Sequence, residues 1–444
     1  MNRVAGATWG ASQDLLKMTY TTYVRPAIMY GCETTVTASA TAREKLEWAQ
    51  NVALRSITGA AKSTPIEAMR AQTGIEPINV RVDAAAVMLS EKLKRTGVPY
   101  WKNYTPPQAR LVSQLNFSSI VGNKAQELNL DLGIPEPFPQ DSNYPPFSYD
   151  LDLIGDISKS SALPAELRAA AIQTVQERYP PSEWLHVYTD GSSDGAVKNG
   201  GAGIYSAIFE ISEPVGLRAS NFDGEIVAVQ LAVREVERRR LERVVIFVDS
   251  QAAILALGTL RPSVRSQVIC DTLRSLQLVR EYGGVCHLQW IPSHCGVRGN
   301  EKADRLAKEG ARKAQPNPPR TLHTVRREIA AAVKCYNKNT MEEASAGKDW
   351  EILATEEGHI PAFLPRQKLV ALFRMITGHD YLQKHLYRIG VVDSPMCPCS
   401  LEEMDARHIM ECPALEEIGG IEPGEVACEK YWAARRLMNE MGVG

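Results

Sequence analysis

Cysteine is scarce in this chain, 9 in 444 residues, which excludes a disulfide-stapled scaffold; three of the nine fall close together, a pattern suited to a reducing compartment. An excess of charge of either sign is lacking too. With 50 Lys and Arg against 52 Asp and Glu the net charge is −2, so no global field points to a polyanion, and any such surface must be local. No run approaches the roughly 18 apolar residues of a membrane span. Residues 1–10 have no apolar core of signal-peptide length. These absences predict an intracellular chain, cytoplasmic or nuclear, without membrane contact. The composition, 44% hydrophobic and 23% charged, is ordinary for a globular protein, and the length allows two or three domains.

What is present falls into segments. Residues 1–103 read as helices: 14–18, 41–57 with Leu46, Ala49, Ala53 and Ile57 at helical spacing, and 84–93, stopped by Gly97 and Pro99. Thr41 and Glu44 suit a capping box. From 104 to 149 the prolines accumulate (Pro106, Pro107, Pro135, Pro137, Pro139, Pro145, Pro146), which predicts an extended linker with no helix. One helix over 164–179 completes the segment 104–182.

Residues 183–313 change period. Strand-like runs at 184–188 and 203–209 flank a glycine-rich turn, and a third strand ends near Arg218. A helix follows over 225–240. Residues 244–248 are continuously apolar and mostly β-branched, as in a strand buried on both faces. Helices over 251–257 and 264–282, a strand over 285–291 and a helix over 299–313 complete the order βββ-α-β-α-α-β-α. That order predicts an α/β domain with a five-stranded mixed sheet flanked by helices. A helical region (314–390), a Cys/His segment (391–418) and a tail (419–444) follow.

Four carboxylates punctuate the α/β segment: Asp190 in Tyr188-Thr189-Asp190-Gly191-Ser192, Glu225 after Gly224, Asp249 in Val248-Asp249-Ser250, and Asp304 after Asn300-Glu301-Lys302-Ala303. Two stand at strand ends and two on helices, with Glu225 expected to open its helix. Any one alone is an ordinary turn, cap or surface residue. Together, that much like charge calls for a hard divalent cation, Mg²⁺ or Mn²⁺, in a pair that supports hydrolysis of a phosphodiester. His294, on a loop before Asp304, is a candidate to relay a proton or help product leave.

Over 183–313 the motifs resemble the type-1 ribonuclease H domain: Tyr-Thr-Asp-Gly-Ser, a helical Glu, Val-Asp-Ser, and His294-Cys295-Gly296-Val297-Arg298-Gly299-Asn300-Glu301-Lys302-Ala303-Asp304. The resemblance implies hydrolysis of the RNA strand of RNA–DNA hybrids, with Asp190, Glu225, Asp249 and Asp304 as metal ligands and His294 as helper. Minor-groove contacts sensing the 2′-hydroxyl would choose the substrate, with the 192–199 turn and Asn221 as candidates. The short connection 258–263 omits the basic handle of some relatives, for which Arg238, Arg239, Arg240 and Arg243 are the candidate substitutes.

The flanks resemble non-LTR retrotransposon polyproteins. Tyr23-Val24-Arg25-Pro26, Tyr30-Gly31-Cys32-Glu33 and residues 50–60 are similar to the piece following a reverse-transcriptase palm, yet no aromatic-x-Asp-Asp motif is present, which excludes DNA synthesis by this polypeptide. Arg374, Gly378-His379, Leu382, His385-Leu386 and Arg388 resemble the run before the terminal zinc motif of such elements. Cys397, Cys399, His408 and Cys412 then offer three thiolates and one imidazole, a legitimate tetrahedral Zn²⁺ set. Its expected role is structural or to grip single-stranded template RNA. Cys32, Cys270, Cys286, Cys295, Cys335 and Cys428 share no spacing and read as core or incidental. The expectation is therefore a metal-dependent hybrid endoribonuclease of a retrotransposon polyprotein. The rivals are a catalytically decayed nucleic-acid-binding remnant and a nuclease of the same fold that cuts duplex DNA.

Overall fold

The computed structural model describes residues 4–98, 115–139, 144–155, 162–258, 266–355, 357–415 and 423–443. The chain divides into two compact units, one of Met1–Ser90, Pro106–Asp131 and Ile329–Gly444, the other of Glu91–Thr105 and Leu132–Glu328. Among the described residues no helix is long and apolar enough to cross a membrane.

The second unit is built on a mixed sheet. Its strands are β1 (Ser148–Asp150), β2 (Leu185–Asp194), β3 (Lys198–Ser206), β4 (Glu210–Gly216), β5 (Arg243–Val248) and β6 (Val285–Trp290), in the order β1-β6-β5-β2-β3-β4. β2, β3 and β4 pair antiparallel, whereas β2, β5, β6 and β1 run parallel. Val244 to Val248 are wholly buried, as their unbroken β-branched run requires of a central parallel strand. The helices are α1 (Pro164–Glu177), α2 (Asn221–Arg238), α3 (Gln251–Leu257), α4 (Gln267–Glu281) and α5 (Arg298–Arg312). α2, α3 and α4 cover one face, packing Val229, Val233, Ile254 and Leu273 onto Val187, Ile246 and Val248. α5 lies on the other, where Val297 and Ala303 meet Tyr188, Val245 and Phe247.

The α/β architecture is as expected, with one added strand. β1 comes from the stretch read as a proline-rich linker, and it pairs with β6 through Ser148, Tyr149 and Asp150. That stretch also holds a helix, Phe117–Glu127, capped by Asn116, whose side chain accepts from Ser119 N–H. The prolines bracket a proline-free run from 108 to 134, so they bound this helix rather than forbid it. The rest of the linker reading at 104–114 and 140–143 lies outside the described residues, as does most of the 258–263 connection.

The first unit is helical. Ala40–Thr58, Ile66–Thr73 and Arg366–Thr377 enclose Leu54, Ile57, Met69, Leu369 and Phe373, all fully buried. Helix Ala40–Thr58 is capped by Ser39 accepting from Ala42 N–H, not by Thr41, because the helix begins one residue before that threonine. A second core joins Leu382, Leu386, Met404 and Ile409 to Tyr431 and Met438 on Pro423–Glu440, so the expected tail is largely an 18-residue packed helix.

Candidate active site

Strand register brings the first two carboxylates together. Thr189 pairs with Val248 as the last parallel rung of β2 and β5, so Asp190 and Asp249 follow side by side at the strands' carboxyl ends. Ser250, not Asp249, caps α3 by accepting from Ala253 N–H at 3.2 Å, which leaves the aspartate free. Asn300 Nδ2 donates to Asp249 Oδ2 at 3.2 Å, and Trp290 Nε1 donates to the Asp249 carbonyl at the same distance.

Glu225 arrives from α2. That helix starts four residues earlier than expected, capped by a Ser220–Asp223 box, so Glu225 lies beyond the first turn and not at its opening. Two glycines bring it in. A methyl at Gly191 would sit 2.2 Å from Glu225 N, and one at Gly224 would sit 2.7 Å from the Gly201 carbonyl. Only bare backbone lets α2 press this closely on β2 and β3.

Asp304 arrives from α5 by the same device on the opposite face. Methyls at Gly201 and Gly203 would lie 2.1 Å from the carbonyls of Ala307 and Ala303 respectively. The helix therefore rests directly on β3, and Asp304 stands beside Asp190. Its partner is Lys308, one turn on, whose Nζ is 2.7 Å from Oδ2.

Ligand oxygens of Asp190, Glu225 and Asp249 lie within 4.8 Å of one another. Asp304 is outside that set but lines the same cavity, about 500 Å³, with His294, Lys308, Ser192, Ser193 and Asn221. Burial, then the charges of Asp249 and Asp304, pushes Asp190 up to about 8. Burial, Asp249 and Asp190 hold Glu225 well above the usual carboxylate range. Burial raises Asp249 too, against the pull of Asn300, Glu225 and His294. Among the described residues no Lys or Arg is ion-paired to these three carboxylates, and buried Glu225 Oε2 has no hydrogen-bond partner. Such oxygens suit a hard divalent cation, so the residues fit the metal expected of them.

Of the other expected positions, Ser193 Oγ donates to Asn221 Oδ1 at 2.6 Å on the cavity wall. His294 lines the cavity in a left-handed backbone conformation, φ 51°. The arginine run is occupied elsewhere: Arg238 and Arg239 pair with Glu235, Arg243 pairs with Glu183, and Arg240 stacks on Tyr282. Lys308, Asn300 and the seating glycines were not singled out as site residues from sequence. The run Gly200-Gly201-Ala202-Gly203 inside a strand was the available signal.

In the first unit, Cys397, Cys399, His408 and Cys412 place their ligand atoms within 4.8 Å of one another. Cys397 Sγ lies 3.5 Å from Cys412 Sγ, and Cys399 Sγ 3.3 Å from His408 Nε2. Thiolates about 2.3 Å from a tetrahedral zinc stand roughly 3.8 Å apart, so little movement would seat the ion. Glu402 Oε2 lies 3.6 Å from the other ring nitrogen of His408, where an orienting carboxylate belongs.

Residues 182–312 match the family model for RNase H, and over them the chain carries an RNase H domain. Ribonuclease H1 of Mus musculus is 29% identical over 151 residues, covering 30% of this chain and 52% of that protein. Ribonuclease H1 of Rattus norvegicus gives the same figures. The chain thus spans about half the length of the curated relatives it matches.

Proposed function

We propose that residues 182–312 hydrolyse the RNA strand of RNA–DNA hybrids internally, leaving 3′-hydroxyl and 5′-phosphate ends. The observation that carries this is the meeting of buried Asp190 from β2 and buried Glu225 from α2 with half-buried Asp249 at the end of β5, none of them ion-paired to a Lys or Arg among the described residues. Asp190, Glu225, Asp249 and Asp304 would hold Mg²⁺ or Mn²⁺. Such ions, when bound, activate water and stabilise the leaving oxygen. The chain's own residues do the rest. Gly191 N–H, donating to Asp190 Oδ1 at 2.9 Å, and Asn300 fix the carboxylates in place. Ser192, Ser193 and Asn221 present polar groups that can meet a ribose hydroxyl. His294 stands where it can move a proton or draw product away. Cleavage of an end-labelled hybrid should require Mg²⁺ and vanish in Asp190→Asn; hydrolysis by that variant at the wild-type rate would remove Asp190 from the mechanism. Equal cutting of duplex DNA would reassign the substrate.

We also infer that the chain is part of a non-LTR retrotransposon polyprotein. The Tyr23 to Ala60 motifs and the gathered Cys₃His cluster support this. A genomic neighbourhood without polymerase coding sequence would count against it. The Cys₃His cluster is read as a structural Zn²⁺ site, since it anchors the core of Leu386, Met404, Ile409 and Tyr431.

A further inference from the structure

In the first unit, two histidines share one serine. Ser63 Oγ lies 2.9 Å from His385 Nε2 and 3.0 Å from His379 Nδ1. The direction of each bond follows from a third contact: Tyr381 N–H donates to His385 Nδ1 at 2.9 Å. A neutral His385 therefore carries its proton on Nε2 and donates to Ser63. Ser63 then donates to His379 Nδ1, and His379 is left with its proton on Nε2, the nitrogen this network does not use. The chain of bonds fixes the outer imidazole as a donor.

Positive charge surrounds this network. Arg374 Nε donates to the Gly59 carbonyl, Arg388 Nη2 to the Gly378 carbonyl, and Arg55 Nη2 to the Lys62 carbonyl. Their partners are neutral: these carbonyls and, for Arg374, also the Tyr431 hydroxyl and the face of the Tyr381 ring. Among the described residues none of Arg55, Lys62, Arg374 or Arg388 belongs to an ion pair. The carboxylates nearby are Asp349, whose charge acts on His379, and Asp380, which is buried, accepts from Leu382 N–H and feels the charges of Arg388 and Asp405. Burial, and after it the charges of His379 and Arg388, hold His385 down at about 4, neutral at physiological pH. Lys62, Ser63 and Arg388 are exposed, and next to Arg388 stands Tyr387, half exposed. Cations outside any ion pair, a fixed imidazole donor and an exposed ring form the combination that holds a phosphate and stacks a base.

We propose that this face binds the phosphodiester backbone of single-stranded nucleic acid, with His379, Arg388 and Lys62 as donors and Tyr387 as the stacking surface. The grip on a single strand, expected of the Cys/His segment, thereby moves to the residues before it. That segment supports them: Lys384, on the same short helix as Arg388, pairs with Glu403 and Asp405 between the Zn-type ligands. The proposal does not depend on the hydrolytic reading, since none of these residues belongs to the carboxylate cavity.

The test uses the full chain without added magnesium and fluorescein-labelled 20-mers of single-stranded RNA and DNA, read by anisotropy over a range of KCl. Lys62→Ala with Arg388→Ala should weaken binding at least about tenfold and lower the salt slope by about 1.4, at roughly 0.7 for each phosphate no longer neutralised. Tyr387→Ala should weaken it about tenfold with little change in slope, as removal of a stacking ring requires. Equal weakening for RNA and DNA fits recognition of the phosphate alone; a larger effect on RNA adds contact with the 2′-hydroxyl. Lys62→Ala alone, at an exposed side chain, keeps the test independent of folding and should weaken binding severalfold. Wild-type affinity and slope in all these variants, or no binding by the wild-type chain, overturns the proposal.

Discussion

The substitution Gly203→Ala tests whether close packing positions the fourth carboxylate. Gly203 pairs with Asp190 across β2 and β3, directly beneath α5. A methyl there would lie 2.1 Å from the Ala303 carbonyl, and ordinary contact begins at 3.4 Å, so α5 must retreat by at least about 3.4 − 2.1 = 1.3 Å. The atoms that the methyl meets, on Ala303 and Ala307, are all backbone, so no side chain can swing aside. Ala303 immediately precedes Asp304, and the carboxylate moves with it. Overpacking of this kind costs about 1–3 kcal/mol, or roughly 2–12 °C in the melting temperature of a unit this size. A displacement of about 1 Å in a catalytic group lowers the rate on the order of 10²-fold. Calorimetry and single-turnover cleavage of a labelled hybrid read the two effects separately. Gly122→Ala is the control, because that helical glycine has nothing within 4 Å of the added methyl. It should stabilise by up to about 1 kcal/mol and leave cleavage alone. A Gly203→Ala protein with wild-type melting and rate would refute the seating of α5; one that melts early but cleaves normally would show that Asp304 need not stand where it does.

The remaining predictions concern charge and metal. Asp190 is pushed up to about 8 in the fold against an ordinary value of 3.8, so as pH rises from about 4 to 8 the unfolded chain releases a proton that the folded one keeps, and stability is lost over that window. Metal-free wild type should melt lower as pH climbs from 5 to 8 and Asp190→Asn should do so less; parallel melting curves would rule this out. The Lys308–Asp304 pair is half exposed and worth about 0–1 kcal/mol. Lys308→Met should therefore leave melting nearly unchanged while lowering the Mg²⁺ needed for half-maximal cleavage severalfold; an unaltered requirement speaks against competition between lysine and metal. Purified chain should contain zinc, and Cys412→Ser should lose it along with the ordered core around Tyr431. Zinc-free wild-type protein that folds normally would dismiss the site.

Much of the second unit was legible because its signals are local. The β-branched run 244–248 could only be a buried strand, and alternation along β2 put Tyr188 and Asp190 on one face. The Cys and His positions declared their grouping by spacing, and Ser250 caps its helix in the ordinary way, whereas the Ser220 cap that starts α2 four residues early did not stand out from its surroundings. Long-range pairing was not legible. Three residues after a proline cluster, Ser148 to Asp150, carry too little pattern to announce a sixth strand, and only β6, lying far away in sequence, makes them one. The helix Phe117–Glu127 was hidden because prolines on either side outweighed the proline-free run between them.

Chain chemistry alone determined which groups could do work: four carboxylates, one loop histidine, three thiols with an imidazole. Distance was settled only by tertiary structure, through strand register that aligned Asp190 with Asp249 and through glycines that let α2 and α5 press onto the sheet. The reason is physical. Side-chain type is a local property, whereas the approach of two backbones depends on atoms from both, and neither segment specifies the other's position.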